Sequence, residues 1–151
     1  TSDINEMFRI SKKYNLQICG PTFKKDPNCK ISHHITIQRP QTLLRYVNFI
    51  EVNVPLFNKK ALHNLMKHYD PKLIGWGVDY LGIWANGYLE KDKYALVDKV
   101  GCLNPHDREK NNKRELNNLK NVHERGKVWD KFRRQKNIPG WRHKTYYTIK
   151  M

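Results

Sequence analysis

Gly75-Trp76-Gly77-Val78-Asp79-Tyr80 separates a helical pattern from a strand pattern, and the alternation around it sets the fold class. Upstream, Asn58 is placed as the N-cap of a helix that carries Ala61, Leu62, Leu65 and Met66 on one side, and Asp70-Pro71 closes it. GWGVDY then starts a further short helix with Leu81 and Trp84 on its buried side. Downstream, residues 94–100 (YALVDKV) have the alternation and β-branched content of a strand. Farther out, residues 4–14 form an amphipathic helix pattern behind a capping box of Asp3 and Glu6, and residues 16–18 read as a short buried strand. Prolines, lysines and Asp26 make residues 20–30 a predicted loop, and residues 31–37 a predicted strand. Ile50, Val52 and Val54 alternate with Glu51 and Asn53, so a strand is expected there, ending at Pro55 with Glu51 and Asn53 on one face. Leu116, Leu119, Val122, Trp129 and Phe132 recur near helical spacing, which predicts one long basic helix over 113–135, bent at Gly126. A last strand is expected over 145–149. Strands and helices intermix without an internal repeat, the pattern of an α/β domain with a mixed sheet.

The 151 residues are one domain's worth of chain. Their net charge is +15, and it is unevenly spread. From Arg108 to Met151 there are 14 Lys and Arg against 4 Asp and Glu, a net +10 in that tail alone. Such a field attracts phosphates and other anions, on a nucleic acid, a lipid surface, a nucleotide sugar or an acidic glycan. A solvated basic helix accounts for the same charge more simply. Cys19, Cys29 and Cys102 are an odd number without a C-x-x-C pair, which fits free thiols in a reducing, cytoplasmic setting, with the basic tail allowing a peripheral place on a membrane. Cys29 with His33 and His34 matches no common zinc spacing. The remaining histidines lack usable mutual spacing. No transmembrane segment is read in the sequence.

The hexapeptide itself carries chemistry. Two glycines let the backbone turn sharply around Trp76 and approach another surface, and the turn presents the Asp79 carboxylate beside aromatic rings. A flat apolar ring with a fixed carboxylate suits a sugar, which offers a C–H face and a rim of hydroxyls. Taken alone, the six residues read better as a packed turn whose tryptophan fills the core and whose aspartate caps a helix.

The wider order of segments adds to this. FIEVNVPLF (residues 49–57), GWGVDY, LVDKV (residues 96–100) and NPHDR (residues 104–108) follow one another at spacings that resemble a family of glycosyltransferases with a GT-A-like nucleotide-sugar fold. Its members look like F-V-E-x-x-x-P-L-F, G-W-G-x-D, I-D-x-V and H-x-R in that order, and the resemblance covers roughly residues 2–116. It implies transfer of a sugar from a nucleotide-sugar donor to a glycan or other hydroxyl acceptor. Asp79 would be the catalytic base, and Trp76, Gly77, Tyr80, Glu51 and Arg108 would bind substrate. His106 would be the ligand of a divalent metal, manganese or magnesium, with Asn104 as the alternative position. Asp98, at the acid of I-D-x-V, reads as structural. The family's acidic D-x-D would lie upstream of Thr1, so the chain is expected to be the carboxy-terminal part of a longer protein whose front half completes the domain. The expected division is an acceptor-side part over 1–112 and a basic helical appendage over 113–151. Two other classes compete: a basic module that binds nucleic acid or an anionic surface, and a catalytically inactive structural domain derived from a glycosyltransferase.

Overall fold

The computed structural model describes residues 2–106 and 115–151. Its elements are α1 (Ser2–Lys13), β1 (Ile18–Phe23), β2 (Thr42–Val47), β3 (Leu56–Phe57), α2 (Lys59–Met66), α3 (Val78–Ala85), β4 (Tyr94–Cys102), α4 (Arg125–Gln135) and β5 (Thr145–Lys150). The strands form one mixed five-stranded sheet in the order β3-β1-β4-β2-β5. β1 runs parallel to β4, and the other pairings are antiparallel.

β4 shows why the sheet is covered on both faces. Ala95 and Val97 pack with Met7 and Ile10 of α1, while Tyr94 and Leu96 pack with Ala61 of α2 and Ile83 of α3. Alternate side chains of a strand point to opposite faces, so a strand buried on both sides reads as a nearly continuous apolar run. A third cluster, with Leu65, Leu73, Leu81 and Ile138, joins α2 and α3 to Val128, Trp129 and Phe132 of α4. The Asn58 side chain caps α2 by accepting from the Ala61 N–H at 2.8 Å.

The centre of the sheet contains a fully buried ion pair. Arg45 Nε and Nη2 donate to the two Asp98 carboxylate oxygens at 2.7 and 3.1 Å, and both side chains are shielded from solvent. Arg45 also donates to the carbonyls of Ile35 and Ile37, each at 2.9 Å, and Asp98 accepts from the Arg39 N–H at 2.7 Å. The pair is thereby engaged on both sides by backbone from the 35–39 segment, which is how buried charges are tolerated.

Several expected elements differ. Residues 31–37 are not a strand: Arg45 draws the carbonyls of Ile35 and Ile37 inward, His34–Thr36 becomes a 3-10 turn, and Ile37 keeps a single bridge to Phe23. Ile50, Val52 and Val54 are not a strand either. β2 ends at Val47, Asn48 is held by Arg142 and Lys144, and the chain turns, burying Ile50 and exposing Val52 and Val54. The predicted loop over 20–30 begins later, because β1 continues through Pro21 to Phe23. β3 pairs only with Ile18 and Cys19, so Pro21 lies beyond that partner, where its missing N–H breaks no β3 ladder bond. The single helix over 113–135 is instead two 3-10 turns, Glu115–Asn118 and Val122–Glu124, followed by α4. The interruption comes at Asn121, with φ of 64°, rather than at Gly126.

Arg108 and the expected boundary between residues 112 and 113 lie outside the described residues. Beyond that boundary, β5 is hydrogen-bonded along β2 and so belongs to the same sheet. Among the described residues no helix is long and apolar enough to cross a membrane.

Candidate functional site

The GWG turn is coiled by backbone geometry. Asp70 caps the 3-10 turn Pro71–Leu73 through the Lys72 N–H at 2.9 Å, and fully buried Leu73 anchors it. Ile74, Gly75 and Gly77 then take positive φ values of 49°, 73° and 75°. These turn the chain into α3 and leave Trp76 half exposed, with Asp79 in the first helical turn. The Asp79 Oδ1 accepts from the Tyr80 N–H at 2.9 Å. α4 closes over this turn: the Arg125 guanidinium sits 4.7 Å from the Trp76 ring centroid, and Trp129 packs onto Gly77 in the space a Cβ would need.

The facing wall comes from the end of β2. Asn48 is stapled to the carboxy-terminal segment: it accepts from the Lys144 N–H at 2.7 Å, its Nδ2 donates to the Arg142 carbonyl at 2.9 Å, and Trp141 Nε1 donates to its carbonyl at 3.0 Å. This fixes the turn that delivers Glu51. Asn53 Nδ2 donates to Glu51 Oε1 at 2.8 Å, whereas Oε2 is buried with no hydrogen-bond partner among the described residues. A third wall holds Lys30, Ser32, His33 and Asn104, with Asn104 Nδ2 donating to the Lys30 carbonyl at 3.0 Å. Together the walls enclose a cleft of about 950 Å³.

Burial sets the electrostatics of the cleft. It raises the Asp79 carboxyl to about 6, against the opposing pull of backbone N–H groups. Glu51 is raised to about 7, first by burial and then by the Asp79 charge. Two interacting carboxyls in this range hold between them roughly one proton near neutrality and titrate as a pair. The Tyr80 phenol is raised as well, by burial and by Asp79.

An imidazole pair, His33 on the third wall and His143 beside Tyr80, ties the walls of the cleft together. His143 Nε2 and the Tyr80 hydroxyl share a hydrogen bond of 2.8 Å. His143 stacks on buried Phe49 at 4.0 Å, and His33 meets His143 edge-on at 5.1 Å. Burial lowers both histidines, and their mutual proximity lowers His143 further. A neutral His143 presents one bare ring nitrogen, able to accept the Tyr80 proton.

Glu51, Trp76, Gly77, Asp79 and Tyr80 thus share one cleft. His106 is not among its lining residues, which include Asn104 two positions earlier. Among the described residues no three His, Cys, Asp or Glu side chains gather as a metal-holding group. Sequence reasoning missed Lys30, His33, Arg125, Trp129 and His143. The usable signal was Trp129 beside Phe132 in an otherwise polar, basic segment, since aromatic rings there must pack on something. Compared with models of protein families, with curated proteins and with solved structures, the chain finds no match.

Proposed function

We propose that the chain provides the acceptor-side chemistry of a GT-A-like glycosyltransferase, moving a sugar from a nucleotide-sugar donor to an acceptor hydroxyl. One observation carries this reading: the Asp79 and Glu51 carboxyls, raised to about 6 and about 7, share a cleft walled by Trp76, Tyr80 and Trp129. Aromatic faces receive the C–H face of a sugar, and carboxyl groups receive its hydroxyls. Asp79 takes the proton of the acceptor hydroxyl as that oxygen bonds to the anomeric carbon and the nucleoside diphosphate leaves. A base with a pKa just below neutrality is ionised when needed and still basic enough to help. Glu51, which holds its proton over more of the range, donates a hydrogen bond from that carboxyl to a neighbouring hydroxyl or ring oxygen.

The family resemblance implies a divalent ion on the leaving diphosphate. His106 lies off the cleft lining, and among the described residues no three His, Cys, Asp or Glu side chains gather to hold that ion. The step above therefore rests on the cleft's own carboxyls. Release of nucleoside diphosphate from a panel of nucleotide sugars, measured with and without sugar acceptors, tests the proposal. Acceptor-stimulated release is expected. No release from any donor, by this chain or by a longer polypeptide containing it, rejects it.

A further inference from the structure

The cleft contains opposite charges that do not neutralise one another. Arg125 is half buried at the start of α4, with its guanidinium over the Trp76 indole. Its guanidinium contacts the Trp76 ring and has neither a hydrogen bond nor an ion pair among the described residues. Glu51 and Asp79 line the same space, raised by burial, with Glu51 raised further by Asp79, and Glu51 Oε2 has no partner among the described residues. A guanidinium in a cleft that also holds two carboxyls, yet is paired with neither, keeps its charge for another partner. Here the cation lies over Trp76, on the wall that also carries Asp79, while Glu51 sits on the facing wall.

We propose that Arg125, oriented by Trp76, is the anchor for an oxyanion group of the ligand, whose hydroxyls reach Glu51 and Asp79. The cation–π contact with Trp76 uses none of the guanidinium N–H donors, which are the groups that grip phosphate or carboxylate in a two-pronged contact. The ligand chemistry is an anion joined to a polyhydroxyl body. It has two sources: the diphosphate of a nucleotide-sugar donor, or an acidic group on the acceptor sugar. This inference rests on the transferase reading for its sugar, and on the cleft alone for its anion.

The test is titration of the full 151-residue chain with pyrophosphate, uridine diphosphate, a hexuronate disaccharide and the matching neutral disaccharide, followed by tryptophan fluorescence. Saturable binding of at least one anionic probe is expected, weakened about tenfold or more by Arg125→Met, which keeps length but loses charge. Arg125→Lys keeps charge, loses the fork, and is expected to fall between; if Arg125→Met does not fold, the lysine variant decides the outcome. Uridine diphosphate and pyrophosphate responding together assign the anchor to the donor, and the hexuronate responding alone assigns it to the acceptor. Absence of binding by every anionic probe, or binding changed less than about twofold in the variants, overturns the inference. The two readings also fail separately. Sugar transfer with unchanged KM for donor and acceptor in Arg125→Met removes the anchor and keeps the transferase. Arg125-dependent anion binding without transfer from any donor keeps the anchor and removes the transferase.

Discussion

Trp129 packs its indole onto Gly77, in the space where any other residue would carry its Cβ, and the same glycine has a φ of 75°. Gly75, two residues away, has a similar φ of 73° but open space around its Cβ position. Alanine at Gly75 therefore meets left-handed strain alone, roughly 1–2 kcal/mol. Alanine at Gly77 adds the displacement of Trp129 from the cleft wall, a further ~1–3 kcal/mol. Denaturant midpoints for the two variants should differ in that order. Equal losses would mean that α4 does not rest on this turn.

Asp98 is the counter-charge of a fully buried arginine, so its loss is expected to be severe. Asp98→Ala strands the Arg45 guanidinium and should cost about 3–5 kcal/mol. Replacing both partners, Arg45→Met with Asp98→Leu, should cost clearly less than the two single changes added together. Additive losses in a double-mutant cycle would contradict the coupling.

The contrast between β4 and β2 shows what was legible in the sequence. β4 was readable because its apolar run is long and bounded, and α2 because Asn58 caps it with a local bond. β2 was missed because Arg45 interrupts its apolar pattern, and the partner that hides that charge lies 53 residues away. The site divides in the same manner. Asp79 and Trp76 were marked by glycines in their own turn, and Glu51 by its place in an ordered series of segments. Arg125, Trp129 and His143 reach the cleft through contacts with Trp76, Gly77 and Tyr80, far away along the chain; the aromatic pair Trp129 and Phe132 signals packing, but no local feature names the cleft as its target.

Glu51 should leave its mark on stability as a function of pH. Its folded pKa of about 7 lies above its ordinary 4.5, and that of Asp79, about 6, above 3.8, so the folded state holds these protons more tightly. The stability they contribute is complete below the ordinary values and is lost as the pH rises through about 6 and then 7. His33 and His143 act in the opposite sense: lowered from 6.5 by burial, they favour folding at higher pH and lose that contribution as pH falls. The difference between wild type and Glu51→Gln isolates the carboxyl. The variant should gain on wild type in urea midpoint between about pH 4.5 and about pH 8. Parallel curves would show that Glu51 is solvated like a surface acid.

Asp79→Asn preserves size and removes the proposed base. On the transferase proposal, turnover should fall by roughly 10²-fold or more with donor affinity retained, since the proposal places the lost group on the acceptor side. The wild-type rate should also rise with pH through about 6, as the carboxyl must shed its proton to act. Full turnover in the variant would leave Asp79 as a cap on the first turn of α3 through its bond to Tyr80.

The basic surface of α4 decides between an enzyme and a nucleic-acid module. Val128, Trp129 and Phe132 pack on the core, while Lys127, Lys131 and Arg134 are exposed and Arg133 pairs with Asp130 at 3.3 Å. An amphipathic helix with its apolar side docked needs no partner for the opposite side, and exposed charges there are ordinary solvated groups. Neutralising Lys127, Lys131, Arg133 and Arg134 together should leave nucleotide-sugar turnover unchanged, because none of them lines the cleft. Binding to double-stranded DNA should be weak, indifferent to sequence and steeply salt-dependent, as expected for a chain of net charge +15. The four-charge variant should reduce that slope by about one phosphate contact per charge removed. Tight DNA binding that survives physiological salt and collapses in the variant would make the helix a dedicated nucleic-acid surface and displace the transferase reading.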